Sequence, residues 1–188
     1  LEKLFPGVPS IGCMGMCYQT SVVEHGVGVI AFSDGVYAAA NVLEHVSTMP
    51  VKYIRRLEEE KDKYILHSML CRIVDWQRNA KRTLPVGLDI SPILALAKDE
   101  RNPVRHSAIH ALGTCPRTES RELLAYYLTQ ADEKQYQYEM YYANIALQSI
   151  GEPADIPLLE RFLKSRRPDL KITAQYAIEY IKKRNPGI

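Results

Sequence analysis

The side chains with chemistry to offer fall in separate places along this sequence. Cys13 and Cys17 flank Met14-Gly15-Met16, and His25 follows, so three soft ligands sit on glycine-rich backbone. Structural zinc takes four ligands, commonly with two of them spaced as C-x₂₋₄-C. His45 is the nearest fourth. The expectation is no metal and a pair of ordinary thiols, with Cys13, Cys17 and His25 as the weak candidates for ligands. The same cysteines, with His25 or His45 and Asn41, supply the parts of a Cys–His nucleophile pair, but no local nucleophile signature surrounds them. No Gly-rich phosphate loop, His-Glu-x-x-His helix or calcium loop occurs. No cofactor is expected, and the chain reads as non-catalytic.

The elements that position these residues follow from composition and period. The chain has 188 residues, 46% hydrophobic and 24% charged, enough to bury a real core. Its 24 Lys+Arg against 22 Asp+Glu leave a formal charge of +2. That excludes a strongly cationic nucleic-acid tail and an acidic disordered solvator. No apolar run reaches about 18 residues, so no membrane span is expected. Four cysteines are too few for a disulfide-stapled secreted scaffold. Reduced thiols and a cytoplasmic location are the default, with a removed leader peptide left open.

Six of the ten glycines fall in the first 35 residues, which argues against a long helix there. Residues 1–34 therefore read as an irregular Gly-rich segment, with 27–32 a short strand or buried stretch. Residues 35–188 read as a helical domain. Helix starts are marked at Ser33/Asp34, Pro50, Ser91-Pro92, Asn102-Pro103 and Asp155-Ile156-Pro157. Gly113 and Gly151 end apolar stripes, where left-handed C-caps are expected. The helices come in pairs: 50–60 with 62–80, 91–99 with 103–113, 117–131 with 136–150, and 155–166 with 169–184.

The second member of each pair carries one pattern. Val104, Ala108, Ala111 and Leu112 recur as Leu66, Leu70, Ile73 and Val74, as Tyr142, Ala146, Ser149 and Ile150, and as Leu170, Ala174, Ala177 and Ile178. Each set makes one apolar stripe at the helical period. Asn102-Pro103-Val104-Arg105, followed by Ala108 and Ala111-Leu112-Gly113, resembles the second helix of a HEAT-type repeat. Pro168-Asp169-Leu170-Lys171, with Ala174 and Ala177-Ile178, resembles the next. Gly151 to Leu159 resembles the link and first helix between them. The flavour is similar to the short HEAT-like repeats of phycobilisome lyase proteins, clearly over 91–184 and less so over 50–80. Ala143 departs from the basic residue common at the start of the second helix. The resemblance implies an all-α, α-α superhelix of about three to four helical hairpins. The uneven spacing of 38, 38 and 28 residues leaves a non-repetitive bundle as the alternative.

A stack of helix pairs leaves one face of its second helices open. Two and six residues beyond the start of each stripe lie Ser68, His106, Asn144 and Ile172, and then Arg72, His110, Gln148 and Tyr176. Hydrogen-bonding side chains dominate this ladder, and a recognition surface or a solvated face would both account for it. Arg72, His106, His110, Asn144, Gln148 and Tyr176, with Tyr141 from the tyrosine-rich stretch 126–142, are the candidate partner-binding residues. In that stretch Tyr138 and Tyr142 are expected in the stripe. Lys134 is its only basic residue, which argues against nucleic acid. Ile172, Tyr176 and Tyr180 form a second apolar strip on the last helix, and a homo-oligomer through that helix is one use for it. The leading expectation is a non-catalytic module binding a protein partner, as an adaptor, assembly or regulatory factor. An immunity or inhibitor protein is one alternative. An enzyme subunit of the bilin-lyase or HEAT-type DNA glycosylase class is another.

Overall fold

A computed structural model describes residues 21–25, 28–32, 54–80 and 83–187, with the side chains of 54–77 and 83–187. The cysteines at 13 and 17, residues 41 and 45, and the helix expected from Ser33/Asp34 lie outside the described residues, as does the His25 side chain. Strands β1 (Ser21–His25) and β2 (Gly28–Phe32) pair antiparallel, Ser21 opposite Phe32 and His25 opposite Gly28. The second strand falls on the stretch that the sequence marks as strand or buried segment.

From residue 54 onward every described element of regular structure is a helix. Residues 54–59 form α1, and α2 (Lys63–Ala80) follows. Then come α3 (Ser91–Leu96), α4 (Asn102–Leu112), α5 (Thr118–Leu128) and α6 (Gln137–Ile150). The fourth pair is α7 (Ile156–Glu160), flanked by single 3₁₀ turns at Pro153–Asp155 and Arg161–Lys164, and α8 (Pro168–Arg184). The expected helix 155–166 is thus three short pieces that together fill one first-helix position. The first helices pack on their partners, α3 on α4, α5 on α6 and α7 on α8. The second helices stack on one another in order, α2 on α4 on α6 on α8. Three packed hairpins with α2 stacked before them match the expected superhelix of about three to four hairpins.

Asp155 flanks α7 as expected, while local chemistry places the N-caps of α3 and α4 one residue before the expected ones. Ser91 and Asn102 are themselves helical, with proline in the first turn, where a missing N–H leaves nothing unpaired. Aspartates upstream take the free amides. Asp62 Oδ1 accepts from the amides of Tyr64 and Ile65 at 2.8 and 3.1 Å, and Asp99 Oδ1 accepts from that of Arg101 at 2.8 Å.

All four stripe residues of α2, α4 and α8 are buried. Burying a leucine or isoleucine contributes about 1.5–3 kcal/mol. In α6 the stripe sits three residues earlier than expected. The residues flanking the helix starts, Arg101, Tyr136 and Arg167, set repeats of 35 and 31 residues. The α6 stripe is therefore Glu139, Ala143, Ala146 and Leu147, all buried, while Ser149 is exposed. Positions three apart share a helix face, so the apolar pattern alone fits both registers.

Gly113 and Gly151 are not left-handed caps. Gly113 has φ −61° and ψ −11°, and Gly151 has φ −62° and ψ 148°. Space is the reason for both glycines. A Cβ on Gly113 would lie 2.9 Å from the Ala146 Cα of α6, and one on Gly151 would lie 2.6 Å from the Leu147 carbonyl oxygen and 2.7 Å from Ile181 Cδ1. Gly113→Ala is expected to destabilise the protein by about 1–3 kcal/mol through overpacking, measured by urea unfolding. A stabilisation of about 0.5–1 kcal/mol, the gain when alanine replaces glycine in an unstrained helical position, would show that the helices do not approach so closely.

Candidate interaction face

Within the stack, α4 and α6 each have three main helical neighbours and one open side. On α4, Val104, Ala108, Ala111 and Leu112 point into the core. Ser107 points back to α2, where its hydroxyl meets His67. Arg105 and Gly113 point forward to α6, onto Glu139 and Ala146. His106 and His110 are left on the open side. Counting from the first residue of each stripe, the equivalent positions are Ser68 and Arg72 on α2, both buried, Tyr141 and Ile145 on α6, and Ile172 and Tyr176 on α8.

Aromatic rings fill the middle of this face. Tyr142 stands between the two histidines, with its ring centre 5.7 Å from each of His106 and His110 and stacked at 25° on the first. Tyr141 meets Tyr142 edge-on at 5.2 Å, and Tyr138 lies 5.4 Å from His106. Tyr138, Ile172, Tyr176 and Tyr180 are about half exposed, at 54, 51, 51 and 48%. Beneath the rings lies Glu139, only 3% exposed. Its Oε1 accepts from Arg105 Nε at 2.8 Å and Nη2 at 2.7 Å, and from His106 Nε2 at 3.2 Å. Burial pushes this carboxyl up, but the hydrogen bonds from His106 and Arg105 outweigh it and hold the group at about 2.

A second polar link ties α2 to α4. The Ser107 hydroxyl donates to the Pro103 carbonyl at 2.8 Å, so its oxygen is free to accept from His67 Nδ1. The hydrogen then sits on Nδ1, leaving the lone pair on Nε2, 3.8 Å from the Cys71 sulfur. Burial lowers the His67 pKa, which favours the neutral ring. A third link ties α6 to α8, where the Asn144 amide donates to Thr173 Oγ1 at 3.2 Å and to the Leu170 carbonyl at 3.4 Å.

The expected ladder thus divides. His106 and His110 come together around Tyr142, with Tyr141 beside them. Tyr176 stands on the open side of α8 with Ile172 and Tyr180. Asn144 does not belong to the face: it is fully buried between α6 and α8, and Gln148 also turns to α8, donating to the Thr173 carbonyl at 3.5 Å. Both were placed by the three-residue register shift. Arg72 keeps its ladder position but is 3% exposed and lies 3.6 Å from Asp75, so it offers no contact surface. Tyr138 and Tyr142 leave the stripe for the open side, because the stripe position is taken by Glu139. Sequence reasoning missed Glu139, Arg105, His67 and Ser107. The start of α6 at Tyr136 carries the signal for the first two, since it aligns Glu139 with Val104 and Leu170. Among the described residues no cluster of histidine, cysteine or acidic side chains is arranged to hold a metal ion, and no helix is long and apolar enough to cross a membrane.

Residues 90–179 match the family model of HEAT repeats. No curated protein matches the chain.

Glu139 makes acid stability testable. Its folded pKa lies below the ordinary 4.5, so its contribution is whole above that pH and is lost as pH falls toward 2. His67, whose pKa is also lowered, acts in the same direction. Glu139→Gln is expected to cost about 3 kcal/mol in urea unfolding at pH 7, with the gap to wild type closing between pH 4.5 and 2. A gap independent of pH would contradict the assignment.

Proposed function

Starting from a HEAT-like repeat protein, with HEAT repeats across residues 90–179, we propose that this chain is a non-catalytic module that grips a protein partner on the open side of its second helices. HEAT repeats are commonly protein-interaction modules, because stacked hairpins present an extended surface without a built-in reaction centre. In this reading the binding domain begins at residue 35. Its contacts are His106, His110, Tyr138, Tyr141, Ile172, Tyr176 and Tyr180, and its role is that of an adaptor, assembly or regulatory factor.

The distribution of residues on α8 carries the reading. Counting from the helix starts, Lys171, Gln175 and Glu179 occupy the positions that on α4 and α6 face the next repeat. All three are exposed, and Gln175 donates to Glu179 at 2.9 Å. This side of α8 is therefore polar and exposed. The apolar strip Ile172–Tyr176–Tyr180 sits instead in line with His106 and His110. Exposed tyrosine and isoleucine on the open side, beside this polar side of α8, favour a partner lying along the face over a second copy stacked on α8. Tyrosine suits such contacts, giving apolar area and a hydroxyl at little cost in side-chain entropy.

One observation favours protein over nucleic acid. The open positions offer one guanidinium, that of Arg72, and it is buried. A backbone-tracking groove needs several exposed Lys or Arg.

The test is capture of partners from the native source, followed by titration of the recovered protein against Tyr176→Ala and Tyr138→Ala. Each change is expected to weaken binding by about 1 kcal/mol or more. Affinity untouched by both, or recovery of nucleic acid with steeply salt-dependent binding, would overturn the reading.

A further inference from the structure

A second feature lies away from the open face, on the side of the first helices. A cleft of about 800 Å³ opens between α3, α5 and the start of α6. Leu94 and Leu123 give it an apolar lining, with Tyr126, Tyr127 and Tyr136 beside them. The Tyr127 hydroxyl donates to the Ala97 carbonyl at 2.6 Å, which fixes that ring in place. Tyr126 meets Tyr127 edge-on at 5.3 Å and is 54% exposed. Along α5, Glu119, Glu122 and Tyr126 follow at i, i+3 and i+7, so two carboxylates and an aromatic ring line one wall.

The charges of the cleft are unevenly spent. Arg105 is fully engaged, with Glu139, the Asp99 carbonyl at 2.6 Å and Asn102 Oδ1 at 2.6 Å. Glu139 is engaged with it. Among the described residues, the side chains of Glu119 and Glu122 make no hydrogen bond or ion pair, and both are exposed. Lys98 is the one other cation of the lining, so the unspent charge is negative. Like charges three apart on a helix repel. Two open carboxylates beside a half-exposed ring suit a cation that pairs with the first and rests on the second. An anion would meet repulsion, and a purely apolar group would leave both carboxylates facing it.

We propose that this cleft binds a cationic side chain, arginine or lysine, presented by a basic segment of a partner protein. The site shares no residue with the open positions of the second helices, so it stands or falls separately from the reading above.

The probe is a fluorescein-labelled hexaarginine peptide, titrated with the full chain and followed by anisotropy at about 0.15 M salt, where distant surface charges are largely screened. Saturable binding is expected. Tyr126→Ala, which leaves the charge unchanged, is expected to weaken it about three- to tenfold, and Glu119→Gln/Glu122→Gln at least as much. Glu58→Gln/Glu59→Gln changes the net charge equally on exposed residues of α1 and is expected to leave binding unaltered, as is Tyr176→Ala. Thermal melts check that each variant is folded. Absence of saturable binding, no effect of Tyr126→Ala, or equal weakening by the α1 control, which would mark a diffuse field effect, each overturns the proposal.

Discussion

The closeness with which neighbouring second helices approach governs the rest of this structure. Ala108, Ala111, Ala143, Ala146, Ala174 and Ala177 are all buried on these helices, and Gly113 lies against Ala146 with no room for a methyl group. Small residues at such contacts let helix axes come to the short end of the usual 8–10 Å range. At that spacing the side chains pointing forward and backward along the stack must interlock. Polar ones must also find partners, because a buried group left unpaired costs about 1–3 kcal/mol. Each junction answers this differently, with His67 and Ser107, then Arg105, His106 and Glu139, then Asn144 and Thr173. What remains for the outside is whatever the interlocking does not consume.

Much of this is legible in the residues. Proline in the first turn locates α3, α4, α7 and α8, and apolar stripes at the helical period mark the second helices, because those signals are local and physical. The order of stacking follows once the stripes are seen to repeat. The register of α6 does not follow, since a stripe three residues along occupies the same face. Only the start of the helix at Tyr136 breaks the tie, and a glutamate in a stripe position hides it. The two glycines illustrate a similar limit. Their identity marks the helix ends correctly, but whether a glycine serves handedness or space depends on a neighbour 33 or 30 residues away in sequence, Ala146 or Ile181.

The site is less legible than the fold for the same reason. His106, His110 and Tyr176 are readable from spacing because α4 and α8 share one register. Asn144 and Gln148 are misplaced because α6 does not. Arg72 is misplaced in a different way: its position on the helix is right, but its burial is not a property of its own helix. The open carboxylates of α5 escape pattern reading altogether. Glu119 and Glu122 look like an ordinary solvated helix face, and gain meaning only from Tyr126, Tyr127 and Tyr136 gathered beside them.

Tyrosines on the outer sides of α6 and α8 must stand in water in the unbound chain, while Tyr127, on the buried side of α5, must not. Nitration of the native protein by tetranitromethane, followed by peptide mass spectrometry, reads this residue by residue. Rapid modification of Tyr138, Tyr176 and Tyr180, with Tyr127 protected until the chain unfolds, is the predicted result. Protection of Tyr138, Tyr176 and Tyr180 in the isolated, folded chain would mean that the face is already covered, and would contradict the central claim.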